Sequence, residues 1–232
     1  MLKAYLQQRQ QMLFENQTDF YTSNGIHVFF KDKIDNEAVD PEKVVSDLES
    51  IIPNHLMQEV EMIIVGWFDE FEEQNINAFY EDGTLYISNV QTDNTDMLDD
   101  LIHEVSHSLE QYYGLEIYGD KKIETEFLKK RKYLHDVLWK LGYKIPLASF
   151  MESEYNYDFD MFLFKKIGYD KLSKLVAGIF ITPYAVTSLR EYYATGFTEF
   201  FLHPNEHNYL KRISPELYKK LLTLQNPENL DN

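Results

Sequence analysis

The sequence predicts an α+β fold: a small mixed N-terminal sheet packed on one long helix, followed by a mainly helical C-terminal lobe. Three observations carry this. Short β-branched and aromatic runs occur before residue 90: IHVFF at 26–30, EMIIVGWF at 61–68 and TLYIS at 84–88. Beyond residue 95 the apolar residues recur at helical spacing. The 232 residues contain no internal repeat and no low-complexity linker. They are therefore read as a single domain, 1–232, with an α/β lobe over 1–114 and a helical lobe over 115–232.

Each element has its own signal. Residues 1–18 are polar and predict a short helical arm. Gly25 precedes the strand at 26–30. Pro41 opens a helix over 41–52, with Val44, Val45, Leu48, Ile51 and Ile52 at helical spacing, and Pro53 ends it. The run at 61–68 reads as a buried strand. Asp82-Gly83, between 78–80 and 84–88, is a hairpin turn signal. Asp93, Asp96, Asp99 and Asp100 cluster where the dipole of a following helix favours anions. Leu98, Leu101, Ile102, Val105 and Leu109 form that helix's apolar stripe, and Gly114 reads as its stop. Further helices are expected over 122–141, closed by Gly142 and Pro146, over 160–180, and over 188–202 before Pro204.

Composition excludes several classes. With 39 acidic against 22 basic residues the net charge is −17, which argues against nucleic acid and against anionic membrane surfaces as partners. There is no cysteine, so any metal must sit on His and carboxylate ligands. The N-terminus has no apolar signal core and no run reaches transmembrane length, which makes the cytoplasm the expected location, or export by a route that needs no such signal.

The chemistry is concentrated in His103-Glu104-Val105-Ser106-His107, an H-E-x-x-H motif. Two His four apart share one face of a helix and can converge on one metal. Glu104, next to the first His, is placed to act on a water at that metal as general base. A third ligand is needed. Downstream, Glu191 and Glu199 both qualify. Glu191 also closes a capping box with Ser188, a purely structural alternative. Ala194, Gly196 and Phe197, one turn on, suggest a close approach to the His helix. His203-Pro-Asn-Glu-His207 mimics the ligand spacing but is interrupted by Pro204 and reads as a loop.

HEVSH followed by EYYATGF resembles the gluzincin peptidases of the anthrax lethal factor and Pro-Pro endopeptidase type. The resemblance covers residues 77–114 and 183–202 most closely. It implies a zincin-like metallopeptidase fold, a zinc ion (Zn2+) on His103, His107 and Glu191, and Glu104 as catalytic base. It also implies an oxyanion donor at Tyr184, seven residues before Glu191. It further implies that Thr84, Leu85, Tyr86, Ile87 and Ser88 form an edge strand that pairs with an extended peptide or protein substrate. Three features depart from the pattern. The stretch from His107 to Glu191 is long, and 120–170 reads as an inserted helical segment over the cleft. Ser106 stands where Gly is common, and Thr195 stands where an Asp often orients a ligand His. The expected function is zinc-dependent peptide hydrolysis; the alternative is a catalytically inactive zincin-fold binding or structural protein.

Overall fold

The computed structural model describes residues 19–74, 76–226 and 228. The helix expected over 1–18 lies outside them. The protein is mixed α and β, with one five-stranded sheet and a majority of helix. It divides into two compact units: residues up to Ser50 with Gln58–Leu101, and Ile51–Met57 with the chain from Ile102 onward.

The first unit holds the sheet. Its strands are β1 (Asp19–Tyr21), β2 (His27–Phe30), β3 (Met62–Gly66), β4 (Ala78–Glu81) and β5 (Thr84–Ser88), in the order β1-β2-β3-β5-β4. β2, β3 and β5 are parallel; β1 and β4 run antiparallel at the two edges. Strand alternation puts Val28, Ile63 and Leu85 in one cross-strand row and Val65 and Ile87 in the next, all fully buried. Helix α1 (Pro41–Ile51) adds Val44, Val45 and Leu48 to this unit's core. A short helix α2 (Asp69–Gln74) follows β3. The β4–β5 turn is the expected hairpin, with Asp82 and Gly83 at φ of 44° and 81°.

The sheet order corrects one expectation. Thr84–Ser88 is not an edge strand, because β5 is hydrogen-bonded to β3 on one side and β4 on the other. An added strand needs unpaired backbone N–H and C=O groups. Those of β5 are already used, and Leu85, Ile87 and Ser88 are buried. On this side of the sheet the edge strand is β4.

Helix α3 (Asn94–Tyr118) starts in the first unit and continues into the second. Asp93 caps it, its Oδ1 accepting from the N–H groups of Thr95 at 2.7 Å and Asp96 at 3.1 Å. It does not stop at Gly114. A mid-helix Gly costs about 1 kcal/mol, and here Ile117 beyond it is fully buried while the Tyr118 hydroxyl donates to Glu110 at 2.8 Å. These contacts hold the last turn in place.

The second unit continues with α4 (Lys122–Lys140), α5 (Leu147–Phe150), α6 (Tyr157–Met161), a π-helical turn (Phe162–Ile167), α7 (Tyr169–Val176), a 3-10 turn (Tyr184–Val186), α8 (Leu189–Leu202), α9 (His207–Ile213) and α10 (Pro215–Gln225). The continuous helix expected over 160–180 is broken at Gly168, whose φ of 83° is outside helical space. α8 is the centre of this unit: Tyr192 to Thr198, Phe200 and Phe201 are all buried. A helix apolar on every side belongs in a core. Gly196 permits its close approach to α10, since a Cβ there would lie 2.2 Å from Leu217 Cδ2. The small residue thus serves α10 rather than the His helix. Among the described residues no helix is long and apolar enough to cross a membrane.

The first helix of the segment expected to cover a cleft sends one face into the core. α4 buries Ile123, Phe127, Arg131, Leu134 and Leu138. Arg131 donates to the carbonyls of Glu152 at 2.5 Å and Ser149 at 2.7 Å and lies over the Phe159 ring. Glu126 accepts from the Tyr192 hydroxyl at 2.8 Å and from the Glu216 N–H at 2.9 Å. Lys130 donates to the Tyr192 hydroxyl at 2.6 Å and to Ser214 Oγ at 2.7 Å.

Two stability outcomes follow from this packing. Gly196→Ala forces Leu217 from a site where it has no exposed surface. It is expected to cost about 1–3 kcal/mol in urea unfolding; an unchanged midpoint and slope would remove the close-approach argument. Burial lowers the Lys130 ammonium to about 8 from 10.5, against the opposing charge of Glu126. Between those values the unfolded chain holds a proton that the folded one has released, so stability rises with pH there. Relative to Lys130→Met, wild type should gain up to about 3 kcal/mol from pH 7 to pH 10.5. A flat difference across that range would contradict the shift.

Candidate metal centre

The second unit brings His103, His107 and Glu191 together. On α3 the two imidazoles are one turn apart, with ring centroids 5.1 Å from each other. Ser106, fully buried between them in sequence, satisfies its hydroxyl on the His103 carbonyl at 2.6 Å. The helix therefore accommodates a Ser where a Gly was the expected residue.

Glu191 arrives from the first turn of α8. Ser188 is the N-cap, its Oγ accepting from the Glu191 N–H at 3.2 Å. The Ser half of the capping box is thus made. The Glu191 carboxylate itself turns to the imidazoles: Oε2 lies 3.0 Å from His103 Nε2 and Oε1 lies 3.5 Å from His107 Nε2. One donor atom from each of the three side chains lies within 4.8 Å of the others.

These separations can be compared with what a metal needs. Tetrahedral zinc with bonds of about 2.0–2.1 Å sets its donors about 3.3 Å apart. The two carboxylate–imidazole distances, one from each Glu191 oxygen, fall on either side of that value. Nitrogen, nitrogen and carboxylate oxygen are also the donor set that suits zinc when thiolates are lacking. The residues present fit the ion.

Electrostatics around the group is divided. Glu104, beside the pair, is buried at 8% exposure. Burial pushes its carboxyl up, with His107 and His103 opposing, so its neutral form is favoured relative to an exposed Glu. Burial pushes Glu191 the same way, but the His103 hydrogen bond and the charges of His107, His103 and Arg190 outweigh it and hold the carboxyl below its ordinary range. Tyr184 opens the 3-10 turn before α8, its ring 6.4 Å from that of His103. Burial and then the Glu191 and Asp160 charges push its phenol up, so it stays a proton donor.

No protein-family model matches the chain, and no curated protein and no solved structure matches it either.

The remaining candidates separate cleanly. Glu199 pairs with His203 Nδ1 at 3.2 Å and is not part of the group. Of the two tyrosines that follow Glu191 and could rival Tyr184 as oxyanion donors, Tyr192 is tied to Glu126 and Lys130, and Tyr193 is fully buried. His207 Nε2 bonds to the Phe200 carbonyl at 2.7 Å. Thr84, Leu85, Tyr86, Ile87 and Ser88 belong to the other unit.

Sequence reasoning missed two sets of neighbours. Glu110 and Arg190 form an ion pair at 2.6 Å, and both reach the His107 ring. The i, i+3 spacing of His107 and Glu110 was the available signal. Tyr155, Asp160 and Tyr169 form the second set. The Tyr155 hydroxyl donates to Asp160 at 3.1 Å, and the Glu191 charge raises the proton affinity of all three. Nothing in their spacing announces them, because α6, the residues just before it and the start of α7 bring them in from the long stretch after α4.

Proposed function

We infer that the protein is a zinc-dependent endopeptidase of zincin-like fold. The observation that carries this is the convergence of His103 Nε2, His107 Nε2 and the Glu191 carboxylate at zinc-donor spacing, with a buried carboxylate from Glu104 next to it. When bound, zinc would acidify a water and polarise a scissile carbonyl. Everything else falls to the side chains.

His103 and His107 present neutral Nε2 lone pairs, and Glu191 supplies the anionic ligand. Glu104 takes the proton from the attacking water on its carboxylate and later delivers it to the leaving amine. Its burial supports that role, since a raised carboxyl affinity for protons suits a base that must also act as an acid. Tyr184 donates from its hydroxyl to the developing oxyanion. The ring contact with His103 supports that placement.

Charge balance supports the ion as well. Glu104, Glu191 and Glu110 share this region with one permanent cation, Arg190. A divalent ion would offset the surplus of carboxylates, which unpaired would be costly to bury.

Two substitutions test the reading. Glu104→Gln should keep one equivalent of zinc by elemental analysis and lose about 10²–10⁴-fold in cleavage of a peptide library. Cleavage at the wild-type rate would sink the base assignment. Zinc bound without any cleavage by wild type would instead favour a catalytically inactive zincin-fold binding protein. Glu191→Ala should lose the metal on mild dialysis. Full retention would mean that another carboxylate is the third ligand.

A further inference from the structure

A ligand imidazole has two nitrogens, and the one facing away from the metal governs how firmly the ring is held. His107 directs Nε2 toward Glu191. Its Nδ1 lies 3.8 Å from Glu110 Oε1 and 3.4 Å from Arg190 Nη2. These neighbours make opposite demands. A guanidinium only donates, so it needs Nδ1 bare; a carboxylate only accepts, so it needs Nδ1 protonated.

Ligation decides between them. An imidazole that gives its Nε2 lone pair to a cation, and stays neutral, carries its proton on Nδ1. Arg190 can then offer that nitrogen nothing, and Glu110 becomes the partner. Closing 3.8 Å to hydrogen-bond length needs a shift of about 1 Å. Glu110 sits one turn along the same helix, so a side-chain adjustment suffices.

The surroundings hold Glu110 ready for this. The Tyr118 hydroxyl donates to Oε1 at 2.8 Å and Arg190 Nε donates to Oε2 at 2.6 Å. The Glu110 side chain is 18% exposed. Carboxylate oxygens each accept more than one bond, so Oε1 can serve Tyr118 and His107 together.

Resting on the metal-centre reading above, we propose that Glu110 is the positioning residue for the ligand His107. It accepts the Nδ1–H of the ring, and Arg190 and Tyr118 hold it in place.

The test compares wild type, Glu110→Ala, Glu110→Gln and Arg190→Met. Zinc dissociation constants come from competition with a chromophoric chelator, and the His107 Nδ1–H is followed by ¹H–¹⁵N spectra of the zinc-loaded protein. Glu110→Ala should weaken zinc by about 10–100-fold and expose the Nδ1–H to rapid exchange. Glu110→Gln keeps an acceptor oxygen and should fall between it and wild type; being isosteric, it carries the test if the Ala variant does not fold. Arg190→Met should lose less affinity than Glu110→Ala. Unchanged zinc affinity with an unchanged Nδ1–H signal in both Glu110 variants would overturn the proposal. So would a larger loss in Arg190→Met than in Glu110→Ala, because Glu110 would then act only as a tether for Arg190. A wild-type protein that binds no zinc at all would overturn the metal-centre reading, and this proposal with it.

Discussion

Helix α8 is buried without interruption from Tyr192 to Thr198, and the candidate metal group depends on that constraint. Burial of Tyr192, Tyr193, Phe197, Phe200 and Phe201 fixes its rotation as well as its position. A helix with one polar stripe could slide or roll against its neighbours at small cost. One buried all round cannot, because each apolar side chain would have to find a new cavity. Glu191 stands in its first turn, before the buried stretch begins, and inherits that rigidity. Ser188 fixes the start of the helix to the residue, so the carboxylate leaves the backbone at a defined point.

The same burial that sets the geometry sets the electrostatics. Desolvation raises the proton affinity of Glu104, Glu110 and Glu191 alike. What separates them is the company each keeps. Glu191 touches both imidazoles, and Glu110 has His107, Arg190 and Tyr118, so both are held below the ordinary carboxylate range. At Glu104 the charges of His107, His103 and Arg190 do not outweigh desolvation. Three glutamates within a few residues of the His pair and of Arg190 therefore divide into two that stay ionised and one inclined to hold a proton. The proposed roles of ligand, positioning group and base call for such a division.

Much of this was legible in the chain, and the reasons are local. The H-E-x-x-H spacing works because helical periodicity is set by backbone geometry. The strands and the Asp82-Gly83 turn were readable because alternation and positive φ are short-range demands. The errors arose where tertiary contacts override local signals. Gly114 marks a helix end in isolation, yet Ile117 and Tyr118 are worth more packed than the glycine costs. The place of β5 in the sheet was misread because pairing on both sides is invisible in five residues of sequence. Leu85 and Ile87 would alternate the same way in an edge strand. Glu110 escaped notice because it looks like one more acidic residue on a helix face until Arg190 arrives, eighty positions later in the chain.

The long stretch between His107 and Glu191 is where the structure alters the argument most. Its first helix, α4, is a brace. Glu126 takes the Tyr192 hydroxyl on one oxygen and the N–H groups at the start of α10 on both. Lys130 bonds Tyr192 from the other side and reaches Ser214 just before α10. Two charged side chains of α4 therefore tie the residue next to Glu191 to the helix whose Leu217 presses on Gly196. A loop of that length would by itself cost little more to close than a short one, but it would leave α8 free to turn. Spent on α4, the same residues restrain that turn. That the proposed third ligand is far away in sequence is then no weakness of the site, because the intervening chain is what holds Glu191 to its place.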